Sequence, residues 1–295
     1  MKLLYYPGCT VKRNAIEYEK SSLAVLEKIG VNALELDKWY CCGALYSLAI
    51  DDLMKHLGAV RTLIYAQKKS REENTRDLLT ICPMCFNVLK RVNKMLREEP
   101  EKLETISSFM DEEEPYKFNI NVVHIIEVLN KKIDELKKNI IRNTGDTGVS
   151  VYYGCTVLRP KEIGIDNPED PSIIENLLRK LGVKVVDNPY KSMCCGAYHI
   201  LDKPELVYNN SKTIVEEAYK RGAKVIVTIC PLCLYNLRKT IETFDKKVDV
   251  KIIYLTELLA YMLGLDHVLD KELIDFFNTV FIHDTKINNS MRREA

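Results

Sequence analysis

Ten cysteines, in two sets of five with the same internal order, are the residues of this chain best suited to chemistry. The first set is Cys9, Cys41-Cys42-Gly43 and Cys82-Pro83-Met84-Cys85. The second is Cys155, Cys194-Cys195-Gly196 and Cys230-Pro231-Leu232-Cys233. No cysteine is left over, and chance placement does not give two sets with one order. Three chemistries use clustered thiols. A closed zinc site takes four ligands, usually from two Cys-x-x-Cys pairs. Each half here offers one such pair, two adjacent cysteines and a distant one, which is one ligand too many. Structural disulfides belong to oxidising compartments, and adjacent cysteines do not easily bridge each other. An iron–sulfur centre accepts thiolates on several separate irons, so neighbouring cysteines pointing different ways become useful. The pattern therefore favours iron–sulfur chemistry, with zinc as the alternative in one half.

The elements that must position these thiols repeat with them. Leu4-Tyr5-Tyr6-Pro7-Gly8-Cys9-Thr10 echoes Val151-Tyr152-Tyr153-Gly154-Cys155-Thr156, and Thr80-Ile81-Cys82-Pro83 echoes Thr228-Ile229-Cys230-Pro231. A third echo, Val122-Val123-His124 to Leu129 with Ile252-Ile253-Tyr254 to Leu259, contains no cysteine. The repeat is thus a whole domain. A polar seam from Arg142 to Gly148 divides the chain into residues 1–146 and 147–295.

Each half alternates strands and helices. Lys2 to Tyr6 is a short β-rich run ending in the turn signal Pro7-Gly8. A helix is expected from about Ala15 to Ile29, stopping at Gly30. In the second half, Ile173, Ile174, Leu177, Leu178 and Leu181 keep helical spacing, with Gly182 after them and Ser172 and Glu175 placed as a capping box. Second strands are expected near Ala33–Leu36 and Lys184–Val186, and further helices near Asp52–Lys69 and Glu205–Arg221. Ala223 to Ile229 is the continuous apolar run of a buried parallel strand. The expected fold class is α/β: two tandem domains, each a small, mainly parallel sheet covered by helices. In such a sheet the strand ends of one polarity share an edge, so five cysteines distant in sequence can meet there. Pro83 and Pro231 suit a first helical position, which sets the Cys-Pro-x-Cys thiols at helix N-termini, where thiolates are favoured.

Composition narrows the remaining classes. The chain has 295 residues, 46 % hydrophobic and 29 % charged, with a formal net charge of +1. There is no basic footprint for nucleic acid and no polybasic face for a membrane. The start, MKLLYYPGCT, reaches Pro7-Gly8 too early for a signal peptide. The longest apolar stretch, about Ile252 to Leu265, is too short to span a bilayer. A cytoplasmic protein is expected.

With two sets of Cys-x(31–39)-Cys-Cys-x(34–39)-Cys-x-x-Cys, the chain resembles the CCG domains of the B-type subunit of heterodisulfide reductase over nearly its whole length. The stretches Tyr153-Gly154-Cys155, Ile165 to Pro171 and Met193-Cys194-Cys195-Gly196-Ala197 are similar to the second half of that family. The resemblance implies two non-cubane [4Fe–4S] clusters. Cys9, Cys41, Cys42, Cys82 and Cys85 would hold one, and Cys155, Cys194, Cys195, Cys230 and Cys233 the other. It also implies a disulfide substrate, that of coenzymes M and B, cleaved between the clusters. The implied partners are the other two components of such a reductase, a ferredoxin-like iron–sulfur subunit (C-type) together with a flavoprotein (A-type). Gly43, Thr156 and Tyr198-His199 depart from the methanogen pattern beside the ligands. In these positions the chain also resembles CCG subunits of succinate, lactate or glycolate dehydrogenases, whose role is electron transfer.

His199, four residues after Cys195, is a candidate proton donor to a departing thiolate, because histidine titrates near neutral pH; a loop histidine held by a hydrogen bond is the plainer alternative. His124 and Trp39 read as core or strand-end residues. Tyr5, Tyr6, Tyr152 and Tyr153 are placed to cover the cysteines or to fill the core. The chain has no Cys-x2-Cys-x2-Cys-x3-Cys run and no dinucleotide fingerprint, so electrons are expected from partner subunits.

Overall fold

The apolar runs between the turn signals become short parallel strands, the inner ones buried. The computed structural model describes residues 1–44, 52–110, 112–244 and 248–291, with side chains as far as residue 281. The first repeat comprises β1 (Lys2–Tyr5), α1 (Cys9–Asn14), α2 (Ile16–Lys28), β2 (Asn32–Glu35), α3 (Leu57–Glu73), β3 (Asp77–Thr80), α4 (Pro83–Glu98), α5 (Pro100–Ser107), β4 (Asn121–His124), α6 (Ile125–Lys131) and α7 (Ile133–Asn139). The second comprises β5 (Gly148–Tyr152), α8 (Ile173–Lys180), β6 (Val185–Val186), α9 (Pro204–Lys220), β7 (Ala223–Thr228), α10 (Pro231–Ile241), β8 (Lys251–Tyr254), α11 (Leu255–Met262) and α12 (Lys271–Met291).

Both sheets are parallel throughout, in the orders β2-β1-β3-β4 and β6-β5-β7-β8. Leu4 pairs with Leu34 and Leu78 in one, and Val149 with Val185 and Val225 in the other. Burial on both faces explains why the inner strands β1, β5 and β7 are largely apolar rather than alternating, whereas the edge strand β2 is polar at both ends and only half-buried. Strand order reverses beside β1 and β5, so the crevice that such sheets offer to ligands opens at the carboxyl ends of β1 and β3, and of β5 and β7.

The repeats pack by exchanging equivalent helices. Helix α2 lies on α11, and α8 lies on α6. The helix after the first strand of each repeat thus covers the helix after the fourth strand of the other, as in a two-fold dimer. At this junction the Tyr18 and Tyr254 rings stack with centroids 4.2 Å apart, and Ser21 Oγ lies 2.8 Å from Thr256 Oγ1. Every residue of α11 is buried, which accounts for the longest apolar stretch: a helix apolar all round is an interior one. Among the described residues no helix is long and apolar enough to cross a membrane.

The capping box expected at Ser172 and Glu175 does not form. Asp166 Oδ2 accepts from the backbone N–H of Ser172 and Ile173 at 2.6 and 2.7 Å, and the Tyr153 hydroxyl accepts from Ile174. Glu175 is turned inward instead, bonded by the Tyr153 hydroxyl and paired with Lys191 at 3.2 Å. A buried carboxylate requires such partners, and Lys191 outcompetes a helix end that Asp166 already satisfies. The carboxylate-to-backbone half of the motif occurs elsewhere: Glu127 accepts from the His124 N–H at 2.8 Å and Glu257 from the Tyr254 N–H at 2.7 Å.

Candidate cysteine site

Each strand end presents its cysteine through matched local devices. Tyr6, which follows β1, donates its hydroxyl hydrogen to the Tyr40 carbonyl at 2.8 Å; Tyr152, at the end of β5, donates to the Met193 carbonyl at 2.8 Å. Both carbonyls belong to the residue immediately before a cysteine pair, so a buried tyrosine fixes each Cys-Cys-Gly turn. The neighbouring tyrosines turn away: Tyr5 bonds Glu19 and Tyr153 bonds Glu175. Of the four, Tyr6 and Tyr152 therefore lie beside the cysteines. Trp39 packs edge-on against Tyr6, and His124 is a fully buried strand-end residue with Nε2 3.1 Å from the Ile81 carbonyl oxygen. Burial holds His124 neutral, with its pKa lowered to about 3.

Two glycines make room for the sulfurs. A Cβ on Gly8 would lie 2.7 Å from Cys85 Sγ, and one on Gly154 would lie 2.9 Å from Cys233 Sγ. Both have positive φ, +78° and +71°, the region where a side chain is strained. Cys82 and Cys230 are the N-cap residues of α4 and α10, with Pro83 and Pro231 opening the helices, as the Cys-Pro order predicts.

The thiols come together in pairs. Cys9 and Cys41 are 3.6 Å apart, Cys42 and Cys85 3.7 Å, and Cys195 and Cys233 3.7 Å, sulfur to sulfur. In the first set Cys42, Cys82 and Cys85 are buried and Cys9 and Cys41 exposed; in the second Cys195, Cys230 and Cys233 are buried and Cys155 and Cys194 more open. The pairs share protons unequally. Hydrogen bonds from Cys41 and Cys85 hold Cys42 down to about 5, a bond from Cys194 holds Cys155 down to about 6, and one from Cys233 holds Cys195 down to about 7. Their partners Cys85, Cys194 and Cys233 are pushed up, because each keeps its proton to donate it to that thiolate and burial disfavours a second charge. Cys82 is lowered by the Cys85 thiol and by the free N–H groups of its helix end.

All five cysteines of the first set line one cavity of about 510 Å³. Its far wall belongs to the second repeat and includes Cys230, Pro231, Tyr198 and Tyr235. The first set thus shares this space with one cysteine of the second, Cys230. Tyr198, in the 3-10 turn Ala197–Ile200, enters this cavity. Its neighbour His199 is exposed, with Nδ1 3.2 Å from Asp202 Oδ1. Two asparagines that the cysteine spacing does not announce also serve the site. Asn87 Nδ2 donates to the carbonyls of Thr156 and Arg159 at 2.8 and 2.6 Å, and Asn236 Nδ2 donates to Cys195 Sγ at 3.2 Å.

The donor set fits thiolate ligation of a cluster: five cysteines line one cavity in the first repeat, the five of the second neighbour one another in bonded pairs, and a glycine leaves room beside a sulfur in each. Among the described residues no three His, Cys, Asp or Glu side chains are grouped to hold a single metal ion.

The chain is similar to known proteins along nearly its full length. It is 29 % identical to the membrane anchor component of the 8-methylmenaquinol:fumarate reductase of Wolinella succinogenes, over 88 % of this chain and 92 % of that one. It is 29 % identical to the B-type subunit of the ferredoxin/F420H2-dependent CoB–CoM heterodisulfide reductase of Methanosarcina acetivorans, over 89 % of each. A hypothetical protein from Helicobacter pylori shares the fold, with a TM-score of 0.70 at 12 % identity, over 89 % of this chain and 49 % of that one. The pattern of the cysteine-rich CCG domain matches residues 3–90 and again residues 149–238, more than half of the sequence. The chain belongs to the cysteine-rich CCG domain family.

Proposed function

We propose that this chain is the iron–sulfur subunit of a multisubunit oxidoreductase that reduces a disulfide of the CoB–CoM kind to two thiols. The observation that carries this reading is the cavity that all five cysteines of the first set line together with Cys230 of the second. Cys9, Cys41, Cys42, Cys82 and Cys85 would hold one non-cubane [4Fe–4S] cluster, and Cys155, Cys194, Cys195, Cys230 and Cys233 the other. Such clusters, when bound, supply one-electron transfer and iron to which sulfur can bind.

The chain's own residues have three tasks. Pro231, Leu232 and Tyr235 give the cavity an apolar wall that limits water near the sulfurs. Tyr198 keeps its proton, because burial and the cysteines around it push its pKa up, so its hydroxyl can donate a hydrogen bond to sulfur. His199, held by Asp202, is proposed to pass protons inward. Reducing one disulfide consumes two electrons and two protons and releases two thiols. The electrons would come from a flavoprotein and from a ferredoxin-like iron–sulfur subunit, since the chain carries neither a ferredoxin-type cysteine run nor a dinucleotide fingerprint.

The likeness to the fumarate reductase component favours a second reading, in which the chain passes electrons between a dehydrogenase and a carrier and touches no disulfide. Turnover separates the two. Anaerobically purified protein given a reduced viologen and the CoB–CoM disulfide should release two thiols per disulfide. Cluster-loaded protein that leaves the disulfide intact would exclude the reductase reading and favour the second.

A further inference from the structure

The repeats match in much of what surrounds the sulfurs, and one of their buried differences touches a sulfur directly. Asn236 lies in α10, three residues past Cys233, and is fully buried. Its Nδ2 donates to Cys195 Sγ and to the Ala197 carbonyl, each at 3.2 Å. The Ala197 carbonyl fixes the orientation of the amide. A carbonyl only accepts, so nitrogen must face it, and the second N–H of the same nitrogen serves Cys195. Asn236 Oδ1 finds no partner among the described residues. An unpaired buried oxygen is a cost that an apolar residue of the same size would avoid, so packing alone does not account for an asparagine.

The matching residue of the first repeat, three past Cys85, is Val88, also buried and without a polar side-chain atom. Cys195 and its counterpart Cys42 share two neighbours and differ in a third: Cys42 takes a further hydrogen bond from the thiol of the adjacent Cys41, itself one of the five cysteines of its set, whereas Cys195 takes its own from the Asn236 amide. Each lies 3.7 Å from the second cysteine of its Cys-Pro-x-Cys pair, and each receives a backbone N–H, from Ala197 or Ala44. We infer that Asn236 is a positioning residue that sets the two cysteine sets at different reduction potentials, the second set the higher. An N–H donor withdraws negative charge from a ligating thiolate. That favours the reduced, more negative state. The inference rests on the reading that each set holds an iron–sulfur cluster.

The test is a redox titration followed by EPR on anaerobically purified wild type, Asn236→Leu and Val88→Asn, with iron and sulfide counted in each. Wild type shows two couples. Asn236→Leu lowers the upper one by about tenfold in its reduction equilibrium, or about 59 mV for one electron, and leaves the other in place. Val88→Asn, which puts an amide at the equivalent buried position of the first repeat, is expected to raise the lower couple and keeps the inference testable if the leucine variant does not fold. Loaded variants with unmoved couples, or with both couples moved together, overturn the inference and leave the cluster reading standing. A lower melting temperature with unmoved couples marks a purely structural role and overturns it as well. Wild type without iron and sulfide overturns both.

Discussion

The side-chain amide of Asn87, two residues past Cys85, donates to the Thr156 carbonyl at 2.8 Å. A residue on the cysteine-bearing helix of one repeat therefore holds the loop that follows Cys155 in the other. The same nitrogen reaches the Arg159 carbonyl at 2.6 Å. The reciprocal contact is α10 of the second repeat against α1, the helix that begins at Cys9. Each cysteine set is thus steadied from the opposite half. Asn87→Leu should lower unfolding free energy by about 1–2 kcal/mol, since it frees two carbonyls while removing an unpaired amide oxygen. Urea unfolding of the two proteins measures it; equal midpoints and slopes would refute the role.

Tyr6 and Tyr152 should prove separable. Each hydroxyl bonds one carbonyl before one cysteine pair. Tyr6→Phe and Tyr152→Phe should each cost about 1 kcal/mol, and the double variant about the sum, because the two share no partner. Each single variant should perturb the spectrum of one set only. A spectrum in which either variant disturbs both sets equally would argue against independent turns.

Gly8→Ala and Gly154→Ala test the space beside the sulfurs. The added Cβ would sit 2.7 Å from Cys85 Sγ or 2.9 Å from Cys233 Sγ, at a backbone φ that costs an L residue about 1–2 kcal/mol. Iron and sulfide per chain should fall by about half in each variant, with circular dichroism unchanged. Full loading in both would show that the sulfurs have room to spare.

Glu257 gives stability a pH dependence. Burial, aided by Glu17 and Asp270 and opposed by the Tyr254 N–H and Arg238, raises its pKa to about 7 from an ordinary carboxylate value of 4.5. Between these values the folded chain binds the proton and the unfolded chain does not. Stability contributed by the protonated form is therefore lost as pH rises through about 5 to about 7, by up to about 3 kcal/mol. Glu257→Gln keeps an oxygen for the Tyr254 N–H and should remove this slope. Denaturant unfolding of both proteins between pH 5 and 8 checks it, and parallel curves would contradict it.

The cysteines, the repeat and the parallel sheets are legible in the sequence because each leaves a periodic or positional trace. Cys-Pro at a strand end gives an N-cap and a proline at the first helical position without help from the rest of the fold. Ser172 and Glu175 mislead because a capping box is a local motif, whereas Glu175 answers to Lys191, sixteen residues later and buried beside it. Tyr198, Asn87 and Asn236 are not legible for the same reason. Their partners lie 39 to 72 residues away or across the repeat junction, and a single asparagine on a helix carries no pattern that names its acceptor. His199 stands out by its spacing to Cys195, yet it is its neighbour Tyr198 that lines the cavity.

Everything proposed for the two cysteine sets depends on their holding two iron–sulfur clusters. The most direct measurement is the iron, sulfide and zinc content of anaerobically purified protein, with EPR of its oxidised and reduced states. Two clusters require about eight irons and about eight sulfides per chain, with signals from two centres. One or two zincs with no sulfide would rule them out.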